Sequence, residues 1–344
     1  MPGSKPPLPP RPCGSGNPGQ VRGGARRAAD VGRLRSSNQQ FVTRERPLDF
    51  CLDTVATTDN SNEPMPSRSV LTHRDPSPVG LLLCGGGSRG AMEVGFYRAL
   101  TEFGVRPDFI LGSSIGALNG AYIAGGMAPS ELVALWRAFR RRRALALNWA
   151  WLFHPRRRPG FLSLAPLRNW LRRTLPVTRF EDLAIPLTVV TTDLEAGRAC
   201  YWHGQGDLVE PVIASMSLPG IFPPVELDGR LHVDGGITNN APLDKAHELG
   251  ARSVYMIECM CAERCPTPLR GWADIVMRSF SIALDSKYRA ELKHFHRHIE
   301  VHSIRPDLRE EVDVLDFRHT EYLIEAAYRQ TRARLAARAE PGMS

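Results

Sequence analysis

Around Ser114 the chain reads Gly112-Ser113-Ser114-Ile115-Gly116, a G-x-S-x-G. A serine hydroxyl becomes a useful nucleophile when a tight strand-to-helix turn pushes it into the open and a neighbouring base takes its proton. Glycines two residues to either side let adjacent backbone approach closely at such a turn. Ser113 is also a serine, but the spacing selects Ser114. The chemistry would be acyl transfer from an ester. Taken alone, the same pattern fits a strand and a helix that pack closely through small residues.

A second glycine-rich stretch, Gly85-Gly86-Gly87-Ser88-Arg89-Gly90, lies upstream. Gly85, Gly87 and Gly90 match G-x-G-x-x-G, the spacing of a dinucleotide-binding turn. That reading asks for a carboxylate at the end of the next strand, about 20 residues on, to hold a ribose. Asp108 lies near that distance but precedes the next strand, and the strand ends instead in Ser114. The other reading is an oxyanion hole. Acyl transfer passes through a tetrahedral intermediate with a negative oxygen, and fixed backbone N–H groups stabilise it. Gly85, Gly86 and Gly87 expose such amides with no side chains in the way, and Arg89 would orient the loop or contact a phosphate.

These groups need elements to hold them. VGLLLC from Val79 is a continuous apolar run, the pattern of a strand buried on both faces. From Ser88 the apolar period turns helical through Met92, Phe96, Ala99, Leu100 and Phe103, with Gly104 as a stop. PDFILGSS repeats the strand and IGALNGAYIAG the helix. Strand, helix, strand, helix implies a parallel sheet with crossover helices, so both loops fall at the carboxyl ends of neighbouring strands. Further strands are expected at Ile185–Thr191, Leu231–Asp234 and Ser253–Glu258, and helices at Ser130–Arg143 and Thr320–Ala339.

A third block, SMSLPGIFPPVELDGRLHVDGGITNNAP, runs from Ser215 to Pro242. With the glycine-rich loop, the serine elbow and Asp234-Gly235-Gly236 in that order, the chain from about Val79 to Arg305 resembles the patatin-like phospholipase family. Thr192-Asp193-Leu194 with Gly197, Leu218-Pro219 through Phe222-Pro223-Pro224, and Asn240 before Pro242 add to the likeness. The resemblance implies a three-layer α/β/α fold with a mostly parallel central sheet. It also implies a Ser–Asp dyad, with Ser114 as nucleophile, Asp234 as general base, and backbone donors in the Gly85–Gly87 stretch. Cys84, where some relatives carry an acid, is read as a buried strand residue. Asp-Gly is also a common hairpin pair, which is the plain alternative for Asp234-Gly235. An α/β-hydrolase triad would instead recruit His247, which otherwise reads as a surface residue of a helix.

The resemblance implies cleavage of acyl-lipid esters, phospholipid among them, with no cofactor and no metal. A non-catalytic lipid- or nucleotide-binding module and an acyltransferase remain the alternatives. Cys259, Cys261 and Cys265 have no familiar zinc spacing, and His294 and His298, set i, i+4 on an expected helix, read as a solvated face. Between Arg137 and Arg179 stand twelve arginines and no Asp or Glu, interleaved with Trp149, Trp151, Phe153, Phe161 and Trp170. In an enzyme acting on lipid, such a stretch would dock on an anionic membrane surface.

The 344 residues carry a net charge of +8, which suits an anionic partner without choosing one; nucleic acid is not expected. Seven cysteines form no disulfide framework and fit a reducing compartment. There is no apolar core of a Sec-type signal in MPGSKPPLPPRPCGSG, and no apolar run reaches the ~18 residues of a membrane span. A cytoplasmic protein is expected, with peripheral attachment to a membrane as an open variant. Residues 1–78, rich in Pro, Gly, Ser and Arg, are expected to be largely disordered, and 79–344 to form the catalytic domain.

Overall fold

The protein is described here from a computed structural model, for residues 78–139, 146–147, 160, 162–260, 271–309, 312–314 and 316–339. The expected N-terminal disordered segment, residue 78 apart, lies outside the described residues.

Strand β1 (Val79–Leu83) leads through a 3-10 turn at Gly87–Gly90 into helix α1 (Ala91–Glu102); β2 (Phe109–Ser113) leads directly into α2 (Ile115–Ala124). Helix α3 (Pro129–Ala138) and the two-residue strands β3 (Ala146–Leu147) and β4 (Leu162–Ser163) precede α4 (Ala165–Thr174). Then come β5 (Leu187–Asp193), β6 (Arg198–Trp202), α5 (Val209–Ser215), β7 (Val225–Leu227) and β8 (Arg230–Asp234). Short helices α6 (Gly236–Asn239) and α7 (Leu243–Glu248) lead to β9 (Ser253–Ile257), α8 (Trp272–Phe295), β10 (Glu300–Ile304) and α9 (Thr320–Ala339).

The main sheet has eight strands in the order β10-β9-β1-β2-β5-β8-β7, with β6 also paired to β5. β10, β9, β1, β2 and β5 are mutually parallel; β6 and β8 each pair antiparallel with β5, and β7 pairs antiparallel with β8. Side chains alternate between the two faces of a strand, and both faces are buried. Leu81, Leu83 and Ile110 join one apolar cluster with Met92, Phe96, Tyr122 and Leu323 of α1, α2 and α9. Leu82, Leu111, Val254 and Met256 join the other with Leu243, Ala246 and Tyr288 of α7 and α8. That is a three-layer α/β/α arrangement, and it accounts for the unbroken apolar runs of the central strands.

Two expectations need adjustment. β5 runs over Leu187–Asp193 rather than Ile185–Thr191. Pro186 has no N–H to give the ladder, and at the other end Thr191–Asp193 pair with both β6 and β8. Helix α8 ends at Phe295, so His294 is helical and His298 lies in the following turn. Of the helix expected at Ser130–Arg143, residues 140–143 lie outside the described residues.

The pairing around β5 brings the site together. β6 pairs with Val189 to Asp193, which fills one edge of β5. The other edge is therefore shared by β2, reaching Val190, and by β8, taking over at Thr191. Ser113 sits opposite Val190 and Asp234 opposite Thr191. Two strands arriving from opposite directions thus meet end to end, and their last residues become neighbours.

Candidate active site

Ser114 follows β2 with φ 54° and ψ −125°, a left-handed conformation that non-glycine residues seldom adopt. The turn is held on both sides. The Ser114 N–H donates to Ser215 Oγ at 2.8 Å, and the Ser215 hydroxyl donates to the Val190 carbonyl at 2.6 Å. α2 then runs hard against the end of β1: a Cβ at Gly116 would lie 2.1 Å from the Leu83 carbonyl oxygen. Only glycine fits there.

With its backbone fixed, the Ser114 hydroxyl donates to Asp234 Oδ2 at 2.7 Å. The second carboxylate oxygen, Oδ1, accepts the Gly236 N–H at 2.8 Å. The Asp234 backbone is tied as well, its N–H to the Ser217 carbonyl at 3.0 Å and its carbonyl to the Thr192 hydroxyl at 2.8 Å. Burial pushes the carboxyl up to about 6, against the opposing hydrogen bonds from Ser114 and Gly236. The hairpin alternative for Asp234-Gly235 does not describe this position. The Asp-Gly hairpin of this chain is Asp228-Gly229 between β7 and β8, with φ 50° and 75°.

The glycine loop leaves β1 beside this pair. Leu83 is in register with Gly112, which places Gly85 next to Ser114. The Gly85 N–H donates to Asn240 Oδ1 at 2.7 Å. Among the described residues, the N–H groups of Gly86 and Gly87 have no protein acceptor, and both residues line the same cavity as Ser114. The next amide, of Ser88, donates to the Val314 carbonyl at 2.7 Å. Gly87 has φ 59°, and a Cβ there would lie 2.1 Å from the Val314 oxygen. Arg89 donates from Nε to the Val312 carbonyl at 2.8 Å, so it ties the loop to the segment before α9. Gly90 packs on Ile115, where a Cβ would lie 2.5 Å from Cγ1.

Ser114 and Asp234 line a cavity of about 130 Å³. Its walls are apolar: Leu118, Trp136, Phe139, Leu167, Trp170, Phe222, Phe280, Leu284 and Phe317 contribute to them. Asp234 is the one ionisable side chain among the described lining residues, and no histidine is among them. His247 lies on α7, exposed, with its ring 5.4 Å from His298 and 5.6 Å from Phe295, centroid to centroid. It does not reach the serine.

Sequence reasoning passed over two residues of the site, Ser215 and the Asn240 side chain. Both fall inside the block from Ser215 to Pro242, but their partners, Ser114 and Gly85, are more than a hundred positions away, and no local pattern connects them. Cys84 and Cys259 are buried thiols, both pushed up by desolvation first; Cys261 and Cys265 lie outside the described residues. Among the described residues, Asp193, Cys200 and His232 bring ligand-type atoms within 4.8 Å of one another. The Asp193 carboxylate is already engaged there, by the N–H groups of Glu195 and Ala196 and by Arg230.

Of the arginine-rich stretch, Arg137 pairs with Glu321, Arg168 with Glu210, Arg172 with Asp207 and Glu210, and Arg179 with Glu181. The stretch lacks acids of its own, but the fold supplies them. Trp170 is a cavity wall; Trp149, Trp151, Phe153 and Phe161 lie outside the described residues. Among the described residues, no helix is long and apolar enough to cross a membrane.

Comparison with known proteins gives the geometry its context. The chain is similar to mouse (Mus musculus) patatin-like phospholipase domain-containing protein 7, with 36% identity over 217 residues, covering 57% of this chain and 14% of that protein. It is similar to an uncharacterised NTE-family protein of Mycobacterium bovis, with 35% identity over 229 residues, 64% of this chain and 62% of that one. This chain thus spans about one seventh of the mouse relative's length. Among solved structures it is similar to VipD from Legionella pneumophila, at 15% identity with a TM-score of 0.43, over 76% of this chain and 67% of that one. Residues 81–247 match the family described as patatin-like phospholipase. The loop, the serine elbow and the Asp-Gly-Gly triplet all fall inside that span, just under half of the chain, and this stretch is patatin-like.

Proposed function

We propose that this chain is a serine lipid acyl hydrolase, cleaving acyl esters of phospholipids, lysophospholipids or neutral lipids. One observation carries the reading: the 2.7 Å hydrogen bond from Ser114 Oγ to Asp234 Oδ2 in the lining of an apolar cavity.

The chemistry follows from the groups present. Asp234 Oδ2 takes the Ser114 proton as Oγ attacks the ester carbonyl. The carbonyl oxygen becomes negative in the tetrahedral intermediate, and the Gly86 and Gly87 N–H groups donate to it. Collapse returns the proton from Asp234 to the departing alcohol and leaves an acyl-serine. Water then enters and attacks the acyl carbon as Asp234 takes its proton; collapse passes that proton from Asp234 to Ser114 Oγ and releases the fatty acid. A carboxylate is a weak base for an alcohol in water. Burial raises the proton affinity of Asp234, and the Gly236 N–H keeps its other oxygen aimed, so the same group serves as base and then as acid.

The remaining groups position these. Asn240 holds Gly85, Arg89 and Ser88 hold the loop against the segment before α9, and Ser215 fixes the turn that exposes Ser114. The aromatic and aliphatic walls suit an acyl chain. The proposed setting is the surface of a membrane, with the arginine-rich stretch facing anionic headgroups.

Hydrolysis of a p-nitrophenyl acyl ester by the wild type and by Ser114→Ala tests this function. A loss of at least ~1000-fold is expected; equal rates would discard it.

A further inference from the structure

Among the described residues that line the cavity, three side chains carry oxygen: Ser114, Asp234 and Asn240. Two of them are the proposed nucleophile and base, and the third is their neighbour. A Cβ at Gly236 would lie 3.0 Å from Asp234 Oδ1 and 3.1 Å from Asn240 Oδ1. One at Gly85 would lie 2.6 Å from Asn240 Oδ1 and 3.6 Å from Ser114 Oγ. The Asn240 carboxamide is thus wedged between Gly85 and Gly236, beside both members of the Ser114–Asp234 pair.

What the amide meets fixes its direction. The Gly85 N–H can only donate, so the Asn240 oxygen and not its nitrogen faces it, at 2.7 Å. Nδ2 is therefore on the other side of the carboxamide, with two hydrogens that have no acceptor among the described residues. Asn240 is half-buried and belongs to the cavity lining. An unpaired donor in an otherwise apolar cavity calls for a partner, and the oxygens of an ester are acceptors only. The loop that this side chain holds also presents the unpaired Gly86 and Gly87 N–H groups to the same cavity. We infer that Asn240 is a further catalytic residue: its Nδ2 donates to the carbonyl oxygen of the bound ester and, with the Gly86 and Gly87 amides, stabilises the negative charge that develops there. The inference rests on the hydrolase reading and deepens it. The oxygen of the side chain positions the loop and its nitrogen meets the substrate, so both halves of one amide serve the same transition state.

The test uses the full chain with p-nitrophenyl butyrate and its thiono analogue, in which sulfur, a weak acceptor, replaces the carbonyl oxygen. The variants are Asn240→Asp, which keeps an oxygen for the Gly85 N–H and loses only the donor, and Asn240→Ala, which loses both. Each is expected to lower kcat on the oxygen ester by roughly 100- to 1000-fold, with KM within about threefold of the wild type. Each is also expected to lower the ratio of oxygen-ester to thiono-ester rates at least ~10-fold, because the missing donor served oxygen and not sulfur. A new carboxylate repels either tetrahedral anion, so charge alone would lower both rates and leave the ratio as it is. An unchanged ratio in Asn240→Asp overturns the inference, and so does wild-type kcat in either variant. If one variant fails to fold, the ratio in the other decides. A wild type that hydrolyses neither ester removes the hydrolase reading and this inference with it, whereas an active wild type whose ratio the variants share removes the inference alone.

Discussion

Ser113 and Asp234 occupy consecutive steps on one edge of strand β5, opposite Val190 and Thr191, although they come from strands that run in opposite directions. The consequence is that Ser114 and Asp234, 120 positions apart in the chain, meet at 2.7 Å with no side chain between them. Among the described residues lining the cavity there is no histidine to act as a relay. The Ser114–Asp234 contact is set by strand register, so the rigidity of the sheet is transmitted directly to the proposed nucleophile and base.

The pH dependence of the rate follows from the burial of Asp234. The carboxyl is pushed up to about 6 and must be ionised to accept the serine proton. With a soluble ester, kcat/KM is expected to rise with pH and reach half its plateau near pH 6. A profile flat down to pH 4 would exclude Asp234 as the base.

Asp234→Asn separates stability from catalysis. The raised group makes the folded state bind its proton more tightly than the unfolded chain does. Its stabilisation is therefore complete below about pH 4 and is lost as pH rises through 6. Asparagine can keep the Gly236 and Ser114 hydrogen bonds without a buried charge. At pH 8 the variant is expected to gain on the order of 2 kcal/mol in urea unfolding, while ester hydrolysis falls at least ~1000-fold. A variant that unfolds more easily than the wild type would contradict this.

Gly87 and Gly104 make a matched pair. Both have positive φ, but a Cβ at Gly87 would collide with the Val314 carbonyl, whereas Gly104 has nothing within 4 Å. Each alanine substitution carries a left-handed backbone cost of about 1–2 kcal/mol. Only Gly87→Ala is expected to displace a candidate oxyanion donor, with a loss of kcat of roughly 100- to 1000-fold. Equal kcat in the two variants would remove Gly87 from the site.

Glu93 lies under the glycine loop, fully buried, accepting from Asn119 at 2.7 Å; Asn119 in turn accepts from Trp136, a cavity wall. Burial pushes this carboxyl up to about 8. As with Asp234, the sign is a loss of stability as pH rises, here from about 4.5 through 8. Between pH 6 and pH 9 the wild type is expected to lose on the order of 2 kcal/mol that Glu93→Gln does not lose. Parallel stability curves for the two proteins would show that Glu93 is ionised at both pH values.

Much of this architecture was legible in the residues, and for identifiable reasons. VGLLL and FILGS are short apolar runs because their strands are buried on both faces, and each is followed at once by a helical period. The serine elbow was legible because its glycines are demanded by local backbone contacts, as at Gly116. Contacts made across the fold were not. The arginine-rich stretch read as an uncompensated cationic surface, but Arg137, Arg168 and Arg172 find Glu321, Glu210 and Asp207 from other elements, while Arg179 pairs with Glu181 two residues on. β6 and β7 were missed because their pairing depends on where β5 and β8 lie. The cavity takes walls from α2, α3, α4, α8 and the segment before α9, and no window of sequence spans them. Asn240 and Ser215 act through partners that only the fold brings near.

The central claim is that Ser114 is activated by Asp234 alone. Reaction of the full chain with an activated phosphonate ester, followed by peptide mass spectrometry, tests it most directly. The account predicts one adduct, on Ser114, retained in His247→Ala and slowed at least ~1000-fold in Asp234→Asn. An adduct on another residue, or labelling of Ser114 that depends on His247 and not on Asp234, would contradict it.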